Sequence, residues 1–240
     1  MLVCERELRN DLCHAGKLLA EKGLVSSNLG TISAVAGRNR RIFVTKPGPV
    51  HYLRAEPDDF VLVDKDGNPQ EPNKDRPSLN FLVHAACYGA RPDIGAVVHA
   101  HPGNVVALVS QKNPKFDQDG DFVFRLLTGE ACWFVKPVEG FDPLVPIVDN
   151  LDPEPLAFAV GNAIKCANVV AIRNHGIVAV GKDIWEATSA ALVIEEEASI
   201  IAEIYKMEGT PDFLSDEKVR HEVSSMPPHF SRPFRKQNSR

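Results

Sequence analysis

Apolar residues along this chain follow two spacings, and each spacing predicts one type of secondary structure. In the first, they recur every three or four positions, which places them on one face of an α-helix. This spacing marks residues 8–19 and 79–90 and a longer stretch from Asp183 to Gly209. In the second, apolar residues follow one another directly, as in 94–100 and in the two runs 169–172 and 176–180 on either side of a turn, which is typical of buried strands. Helices and strands intermixed along the chain predict an α/β layered domain.

Capping residues indicate where the helices begin. Ser78 precedes the apolar face of residues 79–90 and has the side chain of a helix N-cap. Asp183 and Glu186 have the spacing of a helix start, and a long helix follows them. The run Glu195–Glu197 lies within that helix, where three consecutive carboxylates predict a solvated face.

Composition places the chain among ordinary globular proteins. It has 240 residues, of which 44% are hydrophobic and 25% charged, and its formal net charge is −5. This acidic balance, with basic residues clustered only near the end, argues against nucleic acid as a partner. We expect one domain over residues 1–213 and a flexible tail over residues 214–240, because the tail is polar and contains prolines.

The cysteines and the first residues indicate the compartment. The five cysteines are scattered and form no Cys-x-x-Cys pair, a pattern that favours free thiols in a reducing environment. Charged residues begin at Glu5, so the start of the sequence has the pattern of neither a signal peptide nor a membrane span. We therefore expect a cytoplasmic protein without a membrane partner.

Three histidines are the candidate metal ligands. His99 and His101 end an apolar run in "AVVHAHP", and residues two apart on a strand project from the same face. His175 stands at a turn between two apolar runs in "IRNHGIVAVG". Three imidazoles with an open position are typical of a catalytic divalent metal site, most often zinc, although manganese, iron and cobalt also accept imidazole. On spacing alone, His175 remains equally a turn residue stabilised by its neighbours.

The motifs "VVHAHP" and "RNHGIVAVG", preceded by "LVSSNLGTIS" and "RPSLNFLVHAACYGARPDI", resemble the class II aldolase/adducin family from about residue 5 to about residue 210. The resemblance implies a three-layer α/β/α fold with one central mixed β-sheet and a metal held by His99, His101 and His175. Enzymes of the family are sugar-phosphate aldolases, an epimerase, a dehydratase and some decarboxylases. They commonly form C4 tetramers with active sites between subunits, so we expect a homo-oligomer.

Three substrate loops differ from the pattern of the family aldolases. Those aldolases show Gly-Asn, Thr-x-Ser-Gly and Ser-Ser-Glu. At the corresponding positions this chain has Gly30-Thr31, Thr45-Lys46-Pro47-Gly48 and Ser78-Leu79-Asn80. The resemblance implies a substrate-binding role for the residues of these loops that are small or polar: Gly30, Thr31, Gly48 and Ser78.

Two changes in these loops remove partners for a phosphate. Pro47 lacks both a hydroxyl and a backbone N–H, and Leu79 places an apolar side chain where an anion needs a donor. We therefore expect a non-phosphorylated small-molecule substrate. The alternative is that Lys46 or the Ser26-Ser27 pair compensates, because a lysine serves as a point charge for phosphate.

Asn80 occupies the position of the acidic residue that accepts a proton in the family, and His84 lies one helical turn later. An amide cannot take a proton at neutral pH, whereas formation of an enediolate from a ketose requires a base. Decarboxylation does not, because CO2 leaves in place of a proton. Asn80 and His84 are the candidate catalytic residues. One interpretation of His84 is that it orients a ligand or the substrate, and the other is that it is a packing residue. If the reaction requires a base, His84 and Glu130 are the alternative candidates.

These observations favour a metal-dependent carbon–carbon lyase that decarboxylates a hydroxy or keto acid, with an aromatic acid as one option. The first alternative is an aldolase acting on a small hydroxy-carbonyl compound or a sugar phosphate. The second is a non-catalytic, adducin-like binding module, against which the intact set of histidines argues. The third is an iron-dependent oxygenase, which the absence of a carboxylate at Asn80 weakens.

Overall fold

The computed structural model describes residues 5–36, 42–46, 50–72, 74–112, 123–135, 138, 141 and 144–227. The described helices are α1 (Glu5–Glu21), α2 (Phe81–Ala90), α3 (Gly103–Val109), α4 (Ala131–Phe134), α5 (Pro153–Ala163), α6 (Ile184–Lys206) and α7 (Asp216–Ser225). The described strands are β1 (Thr31–Val35), β2 (Ile42–Thr45), β3 (Val61–Asp64), β4 (Ala96–Ala100), β5 (Val123–Phe124), β6 (Val145–Val148), β7 (Val169–Ile172) and β8 (Gly176–Gly181).

These strands form one sheet in the order β3-β2-β1-β4-β8-β7-β6-β5. Neighbouring strands run antiparallel, except that β6 and β7 are parallel. β7 and β8 form a hairpin, as the two apolar runs around His175 predict. The sheet is therefore mixed, and β4 and β8 lie side by side at its centre.

Helices cover both faces of the sheet. α2 and α5 pack on one face in a cluster that includes Val97 of β4 and Val178 of β8. The opposite face packs against α1, α3, α4 and α6 through residues such as Val98 and Ala179. Alternate residues of each central strand are thus buried in different cores. Because both faces of these strands are buried, their sequences are continuous apolar runs. The expectation of a three-layer α/β/α fold around one mixed sheet is confirmed.

The register of the central strands brings polar residues to one end of the sheet. Thr31 of β1 is the partner of His99 on β4, and His99 is the partner of Val178 on β8. His99 is followed by Ala100, the last residue of β4, and His175 immediately precedes β8. The end of β4 and the turn of the β7–β8 hairpin therefore lie next to each other.

The start of α2 differs from the prediction. Asn80, not Ser78, is the N-cap residue, and its side chain makes no capping hydrogen bond. A turn precedes the helix, closed by a hydrogen bond from Phe81 N to Ser78 O (2.9 Å). The Ser78 hydroxyl instead lies 3.0 Å from the Thr31 hydroxyl. This tertiary contact replaces the capping hydrogen bond that the sequence predicts at the helix start.

The prediction of a solvated face at the glutamate run of α6 is wrong for Glu195 and Glu197. Glu197 is buried, and its carboxylate accepts hydrogen bonds from Leu127 N (2.6 Å) and from the Thr128 hydroxyl (2.6 Å). Glu195 accepts from Asn104 N (3.0 Å) at the start of α3. Only Glu196 of this run is exposed. Backbone donors left unpaired at loops and helix ends provide the partners that sequence spacing does not reveal.

Residues 216–225, which the sequence assigns to a flexible tail, form α7. Val219 of this helix is buried, the Trp133 indole N–H donates to Glu222 O (3.1 Å), and Arg125 pairs with Asp216. Residues 228–240 lie outside the described part of the chain. The tail therefore begins with a helix that is held on the domain by specific contacts.

Two further observations concern the predicted compartment. None of the helices that the structure describes combines the length and the apolar character that crossing a lipid bilayer requires. Four cysteines, Cys13, Cys87, Cys132 and Cys166, are free thiols, and Cys4 lies outside the described residues.

Candidate metal centre

The fold brings His99, His101 and His175 together. One ligand atom of each lies within 4.8 Å of the corresponding atoms of the others, and the ring centroids are 4.9 to 5.2 Å apart. Two rings come from the end of β4, and the third comes from the turn between β7 and β8. Residues separated by more than seventy positions in the sequence thus meet because β4 and β8 are neighbours in the sheet.

The turn that carries His175 depends on its neighbours. Asn174 adopts a left-handed conformation (φ 55°), which asparagine tolerates better than most residues. Gly176 leaves room for β4, because a Cβ there would overlap Ala100 O and lie 2.9 Å from His101 Cδ2. The Asn-His-Gly sequence therefore allows the hairpin turn to approach the histidines of β4 closely.

Hydrogen bonds orient two of the rings. His99 Nδ1 lies 2.9 Å from Ile177 O, and His175 Nδ1 lies 2.9 Å from the side-chain oxygen of Asn150. A ring nitrogen beside an oxygen acceptor carries the proton, which leaves the lone pair on Nε2 of both residues. This is the arrangement in which a second partner selects the ligand atom of a metal-binding histidine.

Burial keeps the three imidazoles neutral. It lowers the pKa of His99 well below its ordinary value, and the neighbouring His101 and His175 add to this effect. Burial, with His175, lowers the pKa of His101 to about 4, and burial also lowers the pKa of His175. Neutral imidazole is the form that binds metal ions.

The donor set fits a divalent cation. Among the described residues, Nε2 of His99 and Nδ1 of His101 are buried without a hydrogen-bond partner, a costly arrangement unless something else satisfies them. In the part of the chain that the structure describes, the cluster of possible metal ligands is made of these three imidazoles and includes no carboxylate or thiolate. Three nitrogen donors leave open positions for a substrate, as in catalytic sites.

Two of the predicted substrate-binding residues contact each other beside His99. Thr31 is buried opposite His99 in the sheet, and its hydroxyl lies 3.0 Å from that of Ser78. Gly30 precedes Thr31 with a φ of +77°, and a Cβ on it would lie 2.9 Å from His99 O. Gly48 lies outside the described residues, as does Pro47.

The start of α2 places the other candidate residues near this end of the sheet. Asn80 is half-buried, and Leu79 is 72% exposed. Because Ser78 contacts Thr31, the segment that carries Leu79 and Asn80 runs past the strand pair that holds His99.

Lys46 lies in the interior. Its ammonium donates to Asn28 O (2.7 Å) and Val50 O (2.9 Å) and stands over the Tyr52 ring, 5.0 Å from the centroid. Burial lowers its pKa to about 8. The lysine thus connects the loop before β1 to the chain after β2.

His84 belongs to a buried polar chain beneath the histidine centre. Its Nδ1 lies 2.7 Å from the Ser33 hydroxyl, which also lies 2.8 Å from the Tyr88 hydroxyl. Ser33 is the partner of Val97 on β4, two residues before His99 on the same face of the sheet. Among the described residues, His84 Nε2 has no hydrogen-bond partner, and burial lowers the pKa of His84 to about 3.

Sequence reasoning missed two residues that contact the centre. Asn150 accepts the Nδ1–H of His175, and the Ser110 hydroxyl accepts the backbone N–H of Asn174 (2.8 Å). Both come from segments distant in sequence, and no motif in "VDNLDP" or "LVSQ" marks them. Only the pairing of β6 with β7 and the position of α3 bring them to the turn.

Comparison with known proteins agrees with this architecture. The family model described as "Class II Aldolase and Adducin N-terminal domain" matches residues 10–202. The chain is 30% identical to the L-fuculose phosphate aldolase of Methanocaldococcus jannaschii, over 77% of this chain and 89% of that protein. It is also 30% identical to the L-ribulose-5-phosphate 4-epimerase UlaF of Salmonella paratyphi B, over 80% of this chain and 83% of that protein.

A solved structure shares the fold. It is that of YgbL, a putative aldolase/epimerase/decarboxylase from Escherichia coli, with a TM-score of 0.77 and 21% identity. The alignment covers 91% of this chain and 99% of the other. The family match spans most of the chain and includes β1, β4 and the β7–β8 turn, on which the three histidines and Thr31 lie. The chain belongs to the class II aldolase/adducin family.

Proposed function

We propose that the protein is a divalent-metal-dependent carbon–carbon lyase, and that it decarboxylates a non-phosphorylated hydroxy or keto acid, with aromatic acids among the candidates. The observation that carries this proposal is the combination of three converging imidazoles with an amide, Asn80, at the start of α2. The family match supports the metal-dependent chemistry, and the amide supports the choice of reaction.

His99, His101 and His175 are the residues that would hold the metal, and Zn2+ is our first choice because it favours three nitrogen ligands with an open position. Manganese, iron and cobalt also accept imidazole. A bound divalent cation would supply positive charge that stabilises negative charge developing on a substrate oxygen.

Asn80 sets the reaction class. In decarboxylation of an acid with a carbonyl group β to its carboxylate, the bond to the carboxylate carbon breaks, CO2 leaves, and the electron pair is delocalised onto the carbonyl oxygen as an enolate. In an aromatic acid, a ring hydroxyl ortho to the carboxylate supplies this carbonyl through its keto tautomer. A proton then adds at the carbon that CO2 has left. No base has to remove a proton from carbon first, so an amide that donates a hydrogen bond is sufficient at this position.

His84 is a positioning residue in this proposal. Its burial keeps the imidazole neutral, and the contact with Ser33 fixes the ring against β1. Ser33 and His99 lie on the same face of neighbouring strands. The hydrogen-bonded side chains of Tyr88, Ser33 and His84 therefore lie beneath the histidine centre and hold β1 against α2. Because burial lowers its pKa to about 3, His84 is a weak base.

The substrate pocket is proposed to include Gly30, Thr31, Gly48 and Ser78. The hydroxyls of Thr31 and Ser78 already contact each other, and Lys46 directs its ammonium to main-chain carbonyls. With Leu79 exposed beside them, the described part of this surface offers fewer donors than a phosphate dianion requires. We therefore expect carboxylic acids to bind better than sugar phosphates.

Aldol cleavage is the second candidate. It is favoured by the 30% identity to a protein named L-fuculose phosphate aldolase. This reaction would need a base other than Asn80 or a substrate that requires none.

The experiment is a paired assay of the metal-loaded wild type, Asn80→Asp and Asn80→Glu. CO2 release is measured from a panel of hydroxy and keto acids, and aldehyde release from ketols and sugar phosphates. Our proposal predicts CO2 release by the wild type and no gain in the acidic variants, because an added negative charge repels a carboxylate substrate. Asn80→Gln is the matched control, because it changes the same side chain without adding charge.

Three outcomes contradict the proposal. Aldehyde release without CO2 from the wild type, raised further in Asn80→Glu, would establish the aldolase. A sugar phosphate turned over more efficiently than every carboxylic acid would contradict the substrate class. Protein purified without a histidine tag that neither contains nor binds metal would favour a non-catalytic, adducin-like module.

Assembly and compartment complete the proposal. We propose a homo-oligomer, a tetramer by resemblance to family enzymes, and large apolar side chains such as Phe158 and Leu79 are exposed in the single chain. The free thiols support a reducing compartment, and we propose the cytoplasm.

A further inference from the structure

The three histidines differ in how their rings are held. The His99 side chain is buried within the sheet, and its Nδ1 donates to Ile177 O of β8. His175 stands on a turn rather than on a strand, and its ring is only half-buried. Its ring torsion is therefore not fixed by the sheet, and its Nδ1 lies 2.9 Å from the side-chain oxygen of Asn150.

The position of Asn150 is determined by the sheet. β6 runs parallel to β7, with Val148 paired to Ile172, and Arg173 N donates to Val148 O (2.9 Å). The Arg173 guanidinium also contacts Asp149 at 3.2 Å. Asn150 therefore emerges two residues beyond the last strand pair, beside the turn that carries His175.

The chemistry of the amide matters as much as its place. If the Asn150 oxygen faces Nδ1, that nitrogen carries the proton and Nε2 keeps its lone pair. If the amide were reversed, its NH2 group would donate to Nδ1, and the proton would move to Nε2, which could then not bind a metal. Only the first orientation is compatible with a ligand role for Nε2 of His175.

The outer partners that the described residues provide to His99 and His175 are also uncharged. Ile177 O is a main-chain carbonyl and Asn150 is an amide, whereas carboxylates often fill this position and make the imidazole a stronger donor. With neutral ligands and neutral partners, the full positive charge of a divalent cation remains available to an anionic substrate.

We propose that Asn150 is a positioning residue of the metal centre: its side-chain oxygen accepts the Nδ1–H of His175, aims Nε2 at the site shared with His99 and His101, and does so without adding charge. The expected effect on anion binding rests on the proposed function, whereas the expected effect on metal affinity rests only on the histidine centre.

The first test measures metal affinity. The apo protein is titrated with Co2+, followed by its visible absorption, for the wild type, Asn150→Leu, Asn150→Asp and the control Asn162→Leu. Asn162 is an exposed asparagine on α5, and its side-chain oxygen accepts a hydrogen bond from the ammonium of Lys165. We expect Asn150→Leu to raise the Kd for Co2+ about 10- to 100-fold, Asn150→Asp to keep or lower it, and the control to match the wild type.

The second test measures anion affinity with oxalate on the Co2+-loaded proteins. Asn150→Asp should bind oxalate about fivefold more weakly than the wild type, because it adds a negative charge behind His175 in a partly solvated site. A structural role alone would not produce tighter metal binding and weaker oxalate binding in one variant.

Each arm has an outcome that overturns the proposal. A folded Asn150→Leu with the Co2+ affinity and spectrum of the wild type would remove the positioning role, and Asn150→Ala repeats the measurement if the leucine variant is insoluble. Unchanged oxalate affinity in Asn150→Asp would remove the charge argument. Neither arm uses turnover, so failure of the decarboxylase assay would leave the result on Asn150 intact.

Discussion

Single glycines determine how closely the backbone approaches the histidine rings. Gly176 faces Ala100 O and the His101 ring across the β4–β8 pair, and Gly103 follows His101 by two residues with open space around it. The two glycines thus lie near the same centre but differ in the room available for a side chain. This difference permits a matched comparison.

Gly176→Ala should disturb the centre, and Gly103→Ala should not. The added methyl group at Gly176 overlaps backbone and crowds His101, so β8 must shift. We expect a loss of about 1–3 kcal/mol in the free energy of unfolding, together with weaker metal binding. Urea unfolding and metal titration of both variants check this expectation. Equal stability and affinity in the two variants would show that the turn tolerates a side chain.

At the scale of the elements, polar side chains connect layers that are otherwise joined by apolar packing. The chain of Tyr88, Ser33 and His84 connects α2 to β1 inside the core that contains Val97. On the other face, Glu197 of α6 holds the segment that precedes α4 through Leu127 N. Such buried partners fix the relative positions of elements because breaking them leaves unpaired polar groups.

The buried His84 should make stability depend on pH. Its pKa is about 3 in the fold and about 6.5 when unfolded, so between these values the unfolded chain binds the extra proton. Stability is therefore fully present above pH 6.5 and is lost as the pH falls toward 3. In His84→Gln, the slope of unfolding free energy against pH in this window should be smaller by up to about 1.4 kcal/mol per pH unit.

Urea unfolding of the chelator-treated protein at several pH values from 4.5 to 7.5 measures this slope. His221→Gln is the control, because His221 is exposed on α7. Wild-type and His84→Gln profiles that run parallel over the whole range would contradict the assignment of the effect to His84.

Local patterns in the sequence predict the elements and the ligands, but not the contacts between them. The His-x-His pair and the Asn-His-Gly turn are complete within a few residues, so they are visible without a structure. The partners of Glu197 and the role of Asn150 depend on chain segments tens of residues away. The polar sequence of α7 predicts a tail, whereas the burial of Val219 and the contacts of Trp133 and Arg125 hold this helix on the domain. The turn position of Ser78 likewise follows from Thr31.

At the scale of the whole molecule, the candidate centre joins parts of the sheet that come from distant segments of the chain. Two candidate ligands lie at the end of β4, the third lies between β7 and β8, and Asn150 follows β6. The site therefore exists only when the central strands are assembled. A ligand that binds the folded chain and not the unfolded chain stabilises the whole fold.

Metal should raise the melting temperature of the entire domain. At a free Zn2+ or Co2+ concentration of about 100 times Kd, the stabilisation is about 2.7 kcal/mol, which corresponds to roughly 5–10 °C for a chain of this size. Scanning calorimetry with chelator and with metal measures the shift. His175→Ala should fold but lose the shift and the bound metal, as should His99→Ala and His101→Ala. A full shift in these variants, equal to that of the control His221→Ala, would contradict the ligand assignment.

The pairing of β4 with β8 also allows metal binding at the centre to report one step of folding. The β7–β8 hairpin closes through contacts only a few residues apart, whereas β4 must find β8 across some seventy intervening residues. In a refolding experiment with Co2+ present, the visible absorption of the ion therefore reports the arrival of β4 beside a hairpin that local contacts can already have formed. Comparison of its time course with that of far-UV circular dichroism would separate the assembly of the central sheet from the formation of its parts.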